Sequence, residues 1–208
     1  LSLKSNQIAG VLLAGGLARR MGGGDKSLRL LAGKPILDHV LSRARPQVGP
    51  LVLNANGDPA RFSAYGLPVI SDMIKGYAGP LAGILSGMAW AKEHAPECSW
   101  LASFATDAPF LPDDLVVRLG TGMTKQGAEM ARAASQGRAH PVFALWPVGL
   151  CRELRQAVID EDMRKVDVWT ARYKVATVNF SAEPYDPFFN ANRPEDFAEA
   201  ERLMEFLG

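Results

Sequence analysis

The chain has 208 residues, 48% of them hydrophobic, which suffices for one well-buried core, so a single domain spanning 1–208 is expected. Its 23 Lys and Arg nearly cancel 22 Asp and Glu, which argues against a broad nucleic-acid or membrane surface and suits a small anionic ligand better than a polymer. Only two cysteines occur, Cys98 and Cys151, far apart and outside any C-x-x-C spacing, which argues against a disulfide framework and a structural zinc site, and a reducing, cytoplasmic location is expected.

The apolar run 8–14 is short, breaks into glycines and lacks a cleavage pattern, so it reads as a buried strand over 8–13 and not as a signal peptide. No stretch approaches the length needed to cross a bilayer. Pro35, Ile36, Leu37, Val40, Leu41 and Ala44 recur at helical spacing until Pro46 stops them, and residues 51–53 give a second strand. Residues 68–71 predict a third strand. Gly79 and Pro80 then open a helix whose stripe is Leu81, Ile84, Leu85 and Met88, with Pro80 suited to the first helical position. Residues 99–105 are apolar at nearly every position, as in a central parallel strand buried on both faces. The second half reads differently: 128–134 and 142–146 flank the turn-like Ser135-Gln-Gly-Arg138, predicting an antiparallel hairpin. Helices are expected near 149–159 and 162–171, then a strand at 174–179 and a last helix from Pro194. The expected fold class is therefore α/β, a mostly parallel central sheet with an antiparallel hairpin portion and helices on both faces. No repeat, low-complexity segment or linker marks a second domain.

In open parallel sheets ligands bind beyond the carboxyl ends of the strands, where helix N-termini present unpaired N–H groups. Here those ends are Gly15 and Gly16, Asn54, Asp72 and Asp107. The first loop, Leu13-Ala-Gly-Gly-Leu-Ala-Arg-Arg-Met-Gly-Gly-Gly-Asp-Lys26, combines five glycines with Arg19, Arg20 and Lys26. Glycines let backbone N–H groups turn toward anionic oxygens and the cations neutralise charge, so the loop reads as a phosphate cradle, with a plain surface loop as the alternative. It is not a Walker A loop, because Asp25 precedes Lys26-Ser27 where that motif requires glycine, and no G-x-G-x-x-G fingerprint occurs in it.

Asp107, in Thr106-Asp-Ala-Pro109, suits Mg²⁺ held by one carboxylate with triphosphate oxygens completing the shell, although an aspartate before a proline turn is more often structural. Asp72 is a candidate second ligand, a ribose contact or an ordinary cap. Asn54 and Asn56 either read a base edge or form a plain turn. Ala82, Gly83, Ser86 and Gly87 make a small-residue helix face, read as tight packing on the sheet except at the first turn. Asn192 has a ready role as N-cap of the last helix, whereas Asn190 does not. His39, His94 and His140 share no metal-ligand spacing, and the serine of Gly83-Ile-Leu-Ser-Gly87 sits one place too late for a nucleophile elbow, so a hydrolase is rejected.

These residues resemble the molybdenum cofactor guanylyltransferases. The resemblance is carried by Leu13-Ala-Gly-Gly16, Arg19-Arg-Met-Gly22, Asp25-Lys26, Gly33-Lys-Pro35, Asn54-Ala-Asn56, Ser71-Asp72, Gly79-Pro-Leu-Ala-Gly83, Asp107-Ala-Pro109, His140-Pro141 and Asn190-Ala-Asn192, in the family's order over nearly the whole chain. The opening loop alone indicates only the wide nucleotidyltransferase superfamily. Departures are minor: position 108 is Ala where relatives often have Thr or another small residue, and the run from Gly22 is unusually glycine-rich.

The resemblance implies a Rossmann-like nucleotidyltransferase fold and Mg²⁺-dependent transfer of GMP from GTP to molybdopterin or Mo-molybdopterin, with pyrophosphate leaving. It implies main-chain contacts to the nucleotide at Leu13, Ala14 and Gly15, with Lys26 on the phosphates. Asn54 and Asp72 would touch the nucleotide, Asp107 the metal, and Asn190 and Asn192 the pterin. Lys26, Arg20 and Asp107 are the expected catalytic residues. Further candidate partners are molybdenum cofactor biosynthesis proteins and molybdoenzyme chaperones; nucleic acid and membrane are not expected. The alternatives are transfer from CTP to the same cofactor, transfer from GTP to a sugar phosphate, and a non-catalytic GTP-binding module.

Overall fold

The computed structural model describes residues 4–15, 25–74, 76 and 79–205. A seven-stranded sheet divides it, with strand order β5-β4-β1-β6-β8-β7-β9. The parallel part is formed by β1 (Ile8–Leu13), β4 (Leu51–Asn54), β5 (Val69–Ile70) and β6 (Trp100–Ala105), with β1 central between β4 and β6. Because side chains alternate across a strand, Ile8 and Leu12 enter one core layer and Ala9 and Val11 the other, which is why β1 reads as an unbroken apolar run.

The hairpin expected in the second half is present as β7 (Met130–Ser135) and β8 (Arg138–Pro147), turning through Gln136 and Gly137, both at positive φ. Only β8 opposes its neighbours. It pairs antiparallel with β6 and with β7, so β7 again runs with the parallel set, as does β9 (Val175–Asn179) beside it. The carboxyl edge of the sheet therefore extends from β5 to β9. The register of β7 on β8 jumps between the pairs Arg132 with Ala144 and Ala133 with His140, so Pro141, Val142 and Phe143 form a bulge on β8. Ser103 supports it: its hydroxyl donates to the Val142 carbonyl and accepts the Trp146 indole N–H at 2.8 Å.

One sheet face is covered by α1 (Ile36–Ala44), α3 (Leu115–Gln126) and α6 (Pro194–Glu205), the other by α2 (Pro80–His94), α4 (Cys151–Asp160) and α5 (Val166–Thr170). Two short strands, β2 (Leu30–Leu31) and β3 (Lys34–Pro35), pair as a separate ribbon leading into α1. Two sequence expectations change. The segment expected as a helix over 162–171 is helical only in α5, because Asp162 takes a left-handed φ of 49° and breaks the chain direction after α4. And α3 is a full helix between β6 and β7 that the sequence reading does not contain. Gly120, Gly122 and four β-branched residues disguise it, yet Leu115, Val116, Leu119 and Met123 are buried, and a Cβ on Gly122 would overlap Val178 of β9. Glycine is needed there for close approach.

Among the described residues no helix is long and apolar enough to cross a membrane.

Candidate functional site

The ends of β1, β4, β5 and β6 open into one cavity of about 860 Å³, large enough for a nucleotide. Of the residues singled out from the sequence, Leu13, Ala14, Gly15, Lys26, Asn54, Asp72 and Asp107 all line it. Arg20 and Gly16, with the rest of 16–24, lie outside the described residues.

On one wall Asn54 Nδ2 donates to Asp72 Oδ1 at 3.0 Å, and Asn56 Nδ2 donates to Asp72 Oδ2 at 2.7 Å. Asn56 Oδ1 accepts the Asp72 backbone N–H at 2.9 Å. The two asparagines thus brace the Asp72 carboxylate, which settles its immediate partners in favour of a polar network over a helix cap. The wall depends on α2 lying close, because a Cβ at Gly83 would overlap Asn54 Oδ1 and come 2.6 Å from Leu13 Cδ2. The small-residue face of α2 therefore packs on the sheet, as expected, while Gly79, Pro80 and Gly83 of its first turn also line the cavity. Pro80 occupies the first turn, whose missing N–H costs nothing there, and the positive end of the helix dipole faces this edge of the sheet.

Some main-chain groups expected to meet a nucleotide are already occupied: the Ala14 N–H donates to the Asn54 carbonyl at 2.9 Å, and the Leu13 carbonyl accepts from Thr106 Oγ1 at 3.1 Å. Among the described residues, a Cβ on Gly15 would meet no atom within 4 Å.

The opposite wall is built on Lys26. Its side chain is 11% exposed, its ammonium lies 2.7 Å from Asp107 Oδ2, and it also donates to Asn192 Oδ1. Asn192 is consequently not the N-cap that its place before a helix suggests. The cap works in reverse, with the Asp196 carboxylate accepting the backbone N–H groups of Asn192 at 2.7 Å and Arg193 at 2.8 Å. That frees the Asn192 amide for Lys26. The Ala191 N–H donates to the Asp107 carbonyl at 2.9 Å, seating the 190–192 segment on the β6 loop. Asn190 Oδ1 is buried without a hydrogen-bond partner among the described residues.

Ser27 is a residue that the sequence reading passed over. It is 3% exposed, lines the cavity, and its hydroxyl has no partner among the described residues. A buried, unpartnered hydroxyl beside a lysine is a ready donor for an anion. The hydroxyl-bearing residue directly after Lys26 was the available signal; its value was lost once the Walker A spacing failed. Asp25, by contrast, points to structure through an ion pair with Arg61.

The arrangement can hold a polyanion between a helix N-terminus and a lysine, with a carboxylate beside it. A MobA-like NTP transferase domain matches residues 10–174. The chain is 57% identical over 202 residues to the molybdenum cofactor guanylyltransferase of Bradyrhizobium sp. strain ORS 278, covering 97% of this chain and 95% of that protein. It is also 57% identical to the enzyme of the same name from Rhodopseudomonas palustris strain BisB5, covering 93% and 92%. Among solved structures, molybdopterin-guanine dinucleotide biosynthesis protein A from Archaeoglobus fulgidus superposes with a TM-score of 0.73 at 25% identity, covering 95% of this chain and 99% of that one. A CMP:2-keto-3-deoxy-manno-octonic acid synthetase complexed with CTP shares the fold, with a TM-score of 0.73 at 14% identity over 97% of this chain and all of that one.

Proposed function

The chain belongs to the MobA-like NTP transferase family and is a nucleotidyltransferase of molybdenum cofactor biosynthesis, and from that premise we propose that it transfers GMP from GTP to the phosphate of molybdopterin. The observation that carries this reading is the placement of Lys26 at the cavity wall, bonded at once to Asp107 and to Asn192. One cation thereby stands between the β6 loop, on the nucleotide side, and the 190–192 segment, on the acceptor side.

In this reading a phosphate oxygen of the acceptor attacks the α-phosphorus of GTP, forming the new P–O bond. The bond from that phosphorus to the bridging oxygen breaks, and pyrophosphate leaves with the electron pair. The protein contributes position and charge. Lys26 has three N–H donors and commits two to Asp107 and Asn192, leaving one for a phosphate oxygen. The Ser27 hydroxyl and the first turn of α2 add neutral donors, and Arg20 of the glycine-rich stretch adds a second cation. Asn54 and Asp72 hold the nucleoside, and Asn190 offers its unpartnered oxygen to donors on the pterin.

The proposed cofactor is Mg²⁺. Among the described residues no three His, Cys, Asp or Glu side chains gather as a metal cage; two carboxylates line the cavity, Asp72, which is held by Asn54 and Asn56, and Asp107, which is the proposed ligand. That fits Mg²⁺, which is commonly held by one or two carboxylates together with substrate phosphates. Bound there, it would neutralise charge on the triphosphate oxygens.

The test is pyrophosphate release over a panel of triphosphates and acceptors. Release with GTP and molybdopterin together, and with neither alone, is expected. GTP binding without release would leave a binding module, and release with a sugar phosphate in place of molybdopterin would overturn the acceptor.

A further inference from the structure

A second polar cluster lies on the same carboxyl edge, beyond the cavity. Ser135, the last residue of β7, is 1% exposed, and its hydroxyl lies 2.7 Å from His140 Nε2 on β8 and 2.8 Å from Asp186 Oδ1. An ionised carboxylate can only accept, so the Ser135 proton is committed to Asp186 and the serine oxygen must accept from His140. That fixes His140 as the Nε2–H tautomer, an assignment from the network of bonds. Burial lowers the proton affinity of His140, opposed by Asp186 and assisted by Arg138.

The cluster is set among aromatic rings: the His140 ring lies tilted against Phe188 with centroids 4.6 Å apart, and Phe188 also meets Phe143 and Phe180. Polar groups in such surroundings are costly unless they are paired, and here all of them bear on one element. Asp186 Oδ1 also accepts the Phe188 N–H at 3.0 Å, and the Asp186 carbonyl accepts the Phe189 N–H at 3.1 Å. The strap 186–192 is therefore pinned at one end by Ser135 and His140. At its other end it is pinned by Asp107 and Lys26, through Ala191 and Asn192. Asn190, with its unpartnered buried oxygen, hangs between the two anchors.

We propose that Ser135, His140 and Asp186 form a positioning relay that fixes the 186–192 strap and so presents Asn190 and Asn192 to the acceptor substrate. This rests on the acceptor-side reading given above. The three residues touch no reacting atom; they act through the strap. The β8 bulge belongs to the same device, because it begins directly after His140 and Val142 within it lines the cavity.

The test measures KM for molybdopterin and KM for GTP separately in Ser135→Ala, His140→Phe and His140→Gln, together with backbone amide exchange in the ligand-free proteins. Ser135→Ala and His140→Phe should raise the acceptor KM about tenfold while the GTP KM stays within about twofold. His140→Gln can place an amide N–H near the position of Nε2 and should restore most of the loss, which plain loss of packing would not allow. Exchange at Phe188, Phe189 and Ala191 should quicken in the first two variants and stay unchanged in β1 and β6. Equal changes in both KM values, or an unmoved acceptor KM, would overturn the relay. If the wild type releases no pyrophosphate with molybdopterin, the functional reading fails, and amide exchange then decides the relay by itself: unaltered protection over 188–191 in Ser135→Ala rejects it. Should Ser135→Ala not fold, His140→Phe carries the same measurements.

Discussion

Lys26 Nζ lies 2.7 Å from Asp107 Oδ2, and the lysine side chain is the more enclosed of the two, at 11% exposed against 26%. The pair joins Lys26 to the loop after β6, and both residues line the cavity. On the proposed reading Lys26 stabilises negative charge developing on the phosphates, so Lys26→Ala should lower turnover by about 10² to 10³, the usual effect of losing one preorganised stabilising group. The fold should survive, since Asp107 keeps some solvent. A variant that melts normally and turns over within a few-fold of the wild type would remove Lys26 from the phosphate site.

Asp107 acts through two different atoms groups. Its carbonyl seats Ala191 and does not depend on the side chain, whereas its carboxylate is the proposed metal ligand. Asp107→Asn should therefore fold and keep the strap while losing Mg²⁺-dependent turnover, because an amide preserves shape and loses charge. Isothermal titration of Mg²⁺ into the GTP-bound variant checks it directly. Undiminished affinity would move the metal elsewhere, with Asp72 as the next carboxylate at the cavity.

Gly83→Ala tests the packing that holds the nucleoside wall. The new methyl would overlap Asn54 Oδ1 and sit 2.6 Å from Leu13 Cδ2, so Asn54 must leave Asp72 or α2 must retreat. Overpacking of this kind costs about 1–3 kcal/mol, and GTP affinity should fall with it. Urea unfolding and nucleotide titration are the measurements; wild-type stability together with wild-type affinity would show that the close approach is not needed.

The parallel half was legible in the sequence because strands buried on both faces read as continuous apolar runs, and because Asn54, Asp72 and Asp107 each follow such a run. What the sequence concealed has physical causes. Helix α3 carries two glycines, one required by Val178, and so lacks the local propensity that its buried face overrides. The bonding of Asn192 to Lys26 joins residues 166 positions apart, and that of Ser135 to Asp186 joins residues 51 apart, distances at which periodicity carries no information. Local reasoning gave Asn192 a capping role that Asp196 in fact fills.

The pH dependence of stability should contain a term from His140. Its folded pKa is lowered, chiefly by burial, so the folded state binds this proton less readily than the unfolded chain does. The contribution is fully present above the ordinary histidine value of about 6.5 and is lost as pH falls through that value toward the lowered one. Asp186 opposes the shift and Arg138 supports it. Urea midpoints from pH 7.5 down to 5 should therefore drop more steeply for the wild type than for His140→Gln. Parallel curves would mean that His140 titrates alike in both states.

The last prediction concerns the base. Gly15 lines the cavity without a side chain where the nucleoside is proposed to lie, and a purine needs more room there than a pyrimidine. Among the described residues a Cβ on Gly15 would meet no atom within 4 Å, so Gly15→Ala should leave stability within about 0.5 kcal/mol of the wild type. The same methyl would project into space that a bound purine needs. Guanine also presents donors at N1 and N2 and an acceptor at O6, and backbone groups arranged to pair with them are left unpaired by another base. The Ala14 N–H is already given to Asn54, so on the proposed reading Gly15 is the main-chain position to test for this selectivity. We therefore expect GTP to exceed CTP by at least about 10² in kcat/KM, and Gly15→Ala to erode that ratio by lowering the GTP value. Pyrophosphate release with molybdopterin and each triphosphate at equal concentration measures it. A CTP preference in the unmodified protein would defeat the guanylyl reading and leave nucleotidyl transfer intact; an unchanged ratio in Gly15→Ala would place the base elsewhere in the cavity.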